Sequence, residues 1–280
     1  MTEITAASVK ALRDETNAGM MECKRALGEA GGDKAKALRI LRERGIAIAE
    51  KKSSRAVNQG VIAAFIAESG KAGSLIEVNC ETDFVAKNDG FRSFTAKLAE
   101  KAAAMDNSLA EAAKTDVTAK IAEIGENIVV RRNIRFVLQK PGIIAAYIHH
   151  GSAIGVLVEL NCAKNDTASK PAFNDLAKDI CLQVAASQPR FLDRASVPPA
   201  VTAAEKEIFA KQITGKPPQI VEKIVEGKLG KFYEQVCLLE QPFVKDQDKK
   251  IASLLAEKEK ELADEIKIVR FARFQTGEAL

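Results

Sequence analysis

The chain contains its own repeat, and that limits the folds open to it. At a fixed offset of 82 residues, Gly60 matches Gly142, Ile62-Ala63-Ala64 matches Ile144-Ala145-Ala146, and Ile66 matches Ile148. Further on, Glu77-Val78-Asn79-Cys80 matches Glu159-Leu160-Asn161-Cys162, Phe91 matches Phe173, and Ala103-Ala104 matches Ala185-Ala186, with no gap over the span. Self-similarity at one period marks a repeated structural unit. Each copy reads as two alternating, β-branched segments followed by a helical one. A β-hairpin packed on a helix is α+β layering, so the expected fold class is α+β with a duplicated core of two sheets.

A closing strand repeats too, but at a larger offset. Ile128, Arg132, Arg135 and Phe136 align with Ile266, Arg270, Arg273 and Phe274, 138 residues apart. The second copy therefore carries about 56 extra residues, placed between a helix ending near Ser187 and another spanning roughly 249–262. Within that insertion Val201, Ala204 and Ile208 form a helical stripe, and Gly215-Lys216-Pro217-Pro218 stops one helix and starts the next. Ile220, Ile224 and Val225 continue the apolar pattern, so an antiparallel helical hairpin is expected at about 190–245. It is either a solvated arm or a handle for dimerisation or a partner.

Residues 1–54 precede the repeat and read as three short helices, a small bundle marginally stable alone. Thr5 caps the first, with Val9 and Leu12 inward, and Asn17-Ala18-Gly19 breaks it. Gly31-Gly32 stops the second, Asp33 caps the third, and Ala37, Leu38 and Leu41 face inward, with Gly45 a weak point. The expected organisation is thus an N-terminal helical module at 1–54, a first core subdomain at 55–140 and a second at 141–280.

No apolar run approaches the roughly 20 residues of a membrane helix; Ile143 to Ile148 reads as a short buried strand. The start MTEITAASVK has no apolar signal core, so a cytoplasmic protein is expected. Net charge is only +4, and all of it falls in residues 1–58, with 12 Lys/Arg against 8 Asp/Glu. A mildly basic head suits an acidic protein surface at least as well as phosphate. The five cysteines, Cys23, Cys80, Cys162, Cys181 and Cys237, are odd in number and form no CxxC pair, which favours reduced thiols over zinc or disulfides. Phosphate-loop and dinucleotide-loop motifs are absent, as are HExxH and GxSxG, so neither a cofactor nor direct nucleotide binding is expected.

The duplication supplies an internal control for function. After Asn-Cys, copy one reads Glu81-Thr82-Asp83-Phe84-Val85-Ala86-Lys87-Asn88, whereas copy two reads Ala163-Lys164-Asn165-Asp166-Thr167-Ala168-Ser169-Lys170. Copy one has a Phe in a strand-to-helix loop, where it either packs inward behind a Thr82 or Asp83 cap or stands out as an anchor for a partner. In Asn17 to Leu27 the adjacent Met20 and Met21 cannot share one narrow stripe, so one faces solvent unless it merely fills the core rim. Ile124-Gly125-Glu126-Asn127 is a helix stop with a glycine cap that is also able to present backbone to a partner. His149 and His150 sit at a hairpin tip, an arrangement that is more often neutral than catalytic.

Three runs carry a family resemblance: Thr16-Asn17-Ala18-Gly19-Met20-Met21-Glu22-Cys23-Lys24-Arg25-Ala26-Leu27, Glu77 to Lys87, and Ile124 to Ile128. Together they resemble translation elongation factor Ts, and the likeness runs from Ile4 to Glu278. The resemblance implies a guanine nucleotide exchange factor whose partner is the GTPase elongation factor Tu, with no active site, cofactor, membrane or nucleic acid of its own. It implies that Phe84 wedges beside the partner's Mg²⁺ and phosphate site, and that Thr82, Asp83 and Val85 support the contact. Met20, Met21 and Lys24 would grip a helix of the same GTPase domain, Ile124 and Gly125 would border that contact, and His150 would lie at a second. A homodimer through core or hairpin stays open. Some members continue into an additional C-terminal helical module; here the sequence ends at Gly277-Glu278-Ala279-Leu280. Two readings compete from other classes: an RNA- or ribosome-binding protein using the basic head, with steeply salt-dependent affinity, and a Cys-dependent enzyme sensitive to alkylation.

Overall fold

The computed structural model describes residues 4–105, 108–149 and 151–279. The chain begins with three helices, α1 (Ala6–Thr16), α2 (Met20–Glu29) and α3 (Lys34–Lys52). Thr5 Oγ1 accepts the Ser8 amide and Asp33 accepts the Lys36 amide, so both caps act as the residue types dictate. Val9, Leu12, Cys23, Ala26, Leu27 and Ala37 make their common core, with Leu38 and Leu41 packed partly buried against it. Gly45 is not a weak point. The 19-residue α3 runs straight through it, and a Cβ built there would lie 3.4 Å from the Ala122 methyl group. That is an ordinary contact distance, and the helix continues here despite glycine's local cost of about 1 kcal/mol.

Copy one follows with β1 (Gln59–Ile66), β2 (Ala72–Cys80), α4 (Asp83–Lys87), α5 (Asp89–Ala103), α6 (Leu109–Ala112), α7 (Lys114–Ile124) and β3 (Ile128–Val137). Copy two has β4 (Gly142–Ile148), β5 (Ile154–Cys162), α8 (Asn165–Ala168) and α9 (Pro171–Ser187). The insertion holds α10 (Pro199–Lys211), α11 (Pro218–Val236), β6 (Pro242–Phe243) and β7 (Asp246–Lys250). The chain then closes with α12 (Ile251–Leu262) and β8 (Ile266–Gln275). The result is α+β, with two three-stranded antiparallel sheets ordered β1-β2-β3 and β4-β5-β8. The repeat is visible in the ladders. Ile128 pairs with Cys80 as Ile266 pairs with Cys162, and the register slips between Glu77 and Val78 as it does between Glu159 and Leu160.

Period-two alternation sends each strand's residues to two cores. Val61, Ile76 and Val78 face α5 and α7, while Ile62 and Leu75 join Ile144, Leu157, Phe136 and Phe274 between the sheets. Copy two buries Val156, Val158 and Leu160 against α9 and α12. The layers are therefore helix, sheet, sheet, helix. The inner contact is reciprocal. A Cβ on Gly73 would fall 2.8 Å from Ile144 Cγ2, and one on Gly155 would fall 2.4 Å from Ile62 Cγ2. Arg132 stacks on Phe274 at 4.1 Å and Arg270 on Phe136 at 4.2 Å, so each copy's arginine covers the other copy's ring. The same arginines neutralise buried acids: Arg132 Nε donates to Glu77 and Arg270 Nε to Glu159, both at 2.7 Å. The C-terminal turn folds back on copy one, where the Gly277 amide donates to Glu77 and Arg132 pairs with Glu278.

The insertion and the strand β4 differ in detail from the sequence reading. Helix α10 ends at Lys211, before Gly215, which adopts φ +71° in the connecting loop. Ala204 and Ile208 lie exposed, and it is Val201 and Phe209 that pack against Leu229, Phe232 and Val236. The bulky ring at 209 takes the α11-facing side beside Val201 and leaves Ala204 and Ile208 to solvent. Strand β4 is also less buried than expected, because it is a sheet edge; only Ile144 and Ala145 are buried. Lys249 and Lys250 belong to β7, not to the helix that follows.

Candidate functional site

Helix α4 is a single turn between two caps. Thr82 Oγ1 accepts the Val85 amide at its start, and Asn88 Oδ1 accepts the Phe91 amide to begin α5 at once. Phe91 is fully buried and anchors that second start, while Val85 and Ala86 pack partly buried on the copy-one core. With the inward side of one turn filled by residues 85 and 86, residue 84 must point away. Phe84 is accordingly 82% exposed, the most exposed large apolar side chain among the described residues. Its neighbour Asp83 pairs with Lys87 at 2.6 Å, and this hydrogen bond holds the Asp83 carboxyl below its ordinary range. In copy two the equivalent position is Asp166, also exposed, and Lys164 caps α8 without a side-chain bond.

The turn is held from behind by residues whose role the sequence did not reveal. Glu126 Oε2 accepts the backbone amides of Glu81 and Thr82, each at 3.0 Å, and Oε1 accepts the Thr82 hydroxyl at 2.6 Å. Glu81 in turn accepts the Asn127 amide at 2.6 Å, which, with the nearby Arg55 charge, holds its carboxyl below the ordinary value. Asn127 Nδ2 donates to the carbonyls of Arg55 and Ser53, tying the site to the segment after α3. These partners lie about 45–75 residues apart in sequence, beyond any local signal. Gly125 caps α7 in the left-handed region at φ +82°, with Ile124 half-buried before it.

On α2 the buried face is Cys23, Ala26 and Leu27. Both methionines, not one, lie outside it: Met20 is 55% and Met21 64% exposed, and Lys24 is exposed one turn on. Met20 and Met21 sit off the face formed by Cys23, Ala26 and Leu27, so neither fills the core rim. Between this module and copy one runs a groove of about 1170 Å³. Ile46, Ile48 and Val129 line it while still exposed, and sequence periodicity had not singled them out. His149 Nδ1 lies 3.0 Å from the Tyr147 hydroxyl at the β4–β5 turn; His150 lies outside the described residues. The five cysteines are buried, and burial pushes the Cys80 and Cys181 thiols up to about 12, far from the thiolate a nucleophile requires. Among the described residues no helix is long and apolar enough to cross a membrane.

An exposed ring on a clamped turn, an exposed Met-Met-Lys face and an open groove are the features this α+β fold presents at its surface. The comparisons with known proteins narrow the class of protein. A sequence family described as Elongation factor TS matches residues 81–278. Elongation factor Ts of Clostridium perfringens is 45% identical over 290 residues, covering 99% of this chain and 94% of the relative. Its counterparts in Clostridium botulinum and Nitratiruptor sp. are 43% and 44% identical at the same coverage. The chain belongs to the elongation factor Ts family, the nucleotide-exchange factors of translation elongation, which run no chemistry in an active site of their own.

Proposed function

We propose that this chain releases GDP from elongation factor Tu, with Phe84 as the wedge that disturbs the partner's Mg²⁺ and phosphate site, and that GTP binding then displaces the chain. The observation that carries the reading is the exposure of Phe84 on a turn capped at both ends and clamped by Glu126. A rigid apolar side chain held in water gains by leaving it, and a ring does so at small rotamer cost. Asp83 and Lys87 neutralise each other beside it.

Met20, Met21 and Lys24 would supply grip, and the groove lined by Ile46, Ile48 and Val129 has room for a helix of the GTPase's nucleotide-binding domain. Ile124 and Gly125 border that groove's lining residues Ala122 and Asn127. The three segments 1–54, 55–140 and 141–280 would then divide the work into grip, wedge and support, the second copy bracing the first across the shared sheet core.

The energetic logic is negative coupling. Mg²⁺ and backbone amides hold the diphosphate, and a wedge that shifts them weakens nucleotide binding; by linkage, nucleotide weakens factor binding by the same ratio. Gel filtration with elongation factor Tu tests this. The two should co-elute as a nucleotide-free unit in EDTA and separate when GDP and Mg²⁺ are added. A complex indifferent to GDP would contradict the coupling.

A further inference from the structure

We infer that Glu126 is a positioning residue for Phe84, acting through a hydroxyl relay that only copy one possesses. The inference rests on the wedge reading above. The chain leaves the sheet at Cys80, the last residue of β2 paired with β3. Its next two amides, on Glu81 and Thr82, converge on one carboxylate oxygen of Glu126, while the Thr82 hydroxyl donates to the other oxygen. Because that hydroxyl's proton is committed to Glu126, its lone pair is left facing the Val85 amide, which it accepts as the cap of α4. The carboxylate thus sets the hydroxyl's orientation, the hydroxyl sets the start of the turn, and the turn sets the direction of Phe84.

The chemistry requires an acceptor at both oxygens. A carboxylate has two acceptor oxygens and no donor, which suits three incoming donors; a carboxamide replaces one oxygen with two N–H groups. In a Gln at 126 the NH₂ would face the Thr82 oxygen, and the hydroxyl would have to accept from it as well as from Val85. The relay then reverses and the cap weakens.

Copy two separates the two parts of this device. Asp264, 138 residues after Glu126, accepts the Lys164 amide at 3.0 Å, so it holds the equivalent strand-to-helix turn from behind. Residue 164 is a lysine that caps α8 without a side-chain bond; the hydroxyl beside Asp264 is that of Thr167, inside the turn rather than at its start, and position 166 is an aspartate where copy one has its ring. Bracing a turn is therefore common to both copies, whereas the relay accompanies the exposed ring. A role in folding alone predicts that weakening the relay costs stability and leaves the release rate per folded molecule unchanged.

The test is single-turnover release of fluorescent GDP from elongation factor Tu at rising concentrations of the full-length chain, which separates the maximal rate from the half-saturating concentration. Glu126→Gln should lower the maximal rate about tenfold or more, the scale of losing a hydrogen bond to a charged group. The half-saturating concentration should stay within about twofold, since the gripping surface on α2 is untouched. Hydrogen exchange of the Val85 amide should quicken in the same variant. Thr82→Val, which breaks the relay and leaves the backbone clamp, should reproduce both effects, and Thr82→Ser should restore them; this pair also decides the matter if Glu126→Gln folds poorly. Asp264→Asn should leave release unchanged. If Thr82→Val and Glu126→Gln release at the wild-type maximal rate while Phe84→Ala is slow, the positioning inference is wrong and the wedge reading stands. If Phe84→Ala is also at the wild-type rate, it is the wedge reading that has failed.

Discussion

Replacing Phe84 by alanine separates a surface anchor from a core residue, because the two assign its cost to different measurements. A Phe side chain offers about 200 Å², and at 82% exposure only about 40 Å² of it is covered in the free chain. At about 25 cal/mol per Å² that burial contributes at most about 1 kcal/mol to folding. For a chain of this size the melting temperature should drop by roughly 2–4 °C or less. As an interface anchor, the same side chain carries about 2–4 kcal/mol, or roughly 30- to 1000-fold in release if all of it acts on the exchange step. The assay pairs thermal melting with catalysed GDP release, and Asp166→Ala serves as the copy-two control. A core Phe would give the opposite ranking, about 3–5 kcal/mol of lost stability with activity per folded molecule preserved. A variant that melts early yet exchanges normally in the cold would refute the anchor reasoning.

Three further outcomes follow from the geometry. Met20→Ala with Met21→Ala should raise the half-saturating concentration several-fold with little change in maximal rate, because the pair lies on the exposed face of α2 away from the Phe84 turn; an unchanged titration would remove them from the interface. Gly155→Ala should cost about 1–3 kcal/mol in denaturant melts, since its Cβ would crowd Ile62, Ile148 and Leu75 at once across the inner core; a neutral result would show that the sheets slide apart freely. Glu81 has a depressed folded-state pKa, so the stability it contributes is present above its ordinary 4.5 and fades as pH falls through the folded value. The stability gap between wild type and Glu81→Gln should therefore shrink below about pH 4.5, and a gap that widens there would contradict the sign.

Much of the core was legible because a repeat carries its own check. Ile62 and Ile144 align by residue type and also occupy matching places in the inner core, and the paired slips after Glu77 and Glu159 keep the closing strands in step. Local chemistry likewise placed the caps at Thr5, Asp33 and Gly125. What escaped was tertiary. Gly45 reads as a weak helix position, yet α3 continues through it, and Ile208 reads as inward until Phe209 claims the shared side of the hairpin. Arg132 and Arg270 served only as alignment anchors, with nothing to show that each would stack on the other copy's ring. At the candidate site, Phe84 stood out as an anomaly between copies, but its exposure depends on Val85 and Ala86 filling the inward side of one turn. Glu126 and Asn127 were hidden for a simpler reason: a polar residue after a helix stop does not announce a partner some 45–75 residues away.

The central claim is that this surface loosens another protein's nucleotide. The direct measurement is the rate at which fluorescent GDP leaves purified elongation factor Tu when excess unlabelled GDP is added, with and without this chain. Release should accelerate with the concentration of the chain and then saturate, with no nucleotide hydrolysed and no RNA required. A release rate that stays at the uncatalysed value at every concentration of correctly folded chain would contradict the account.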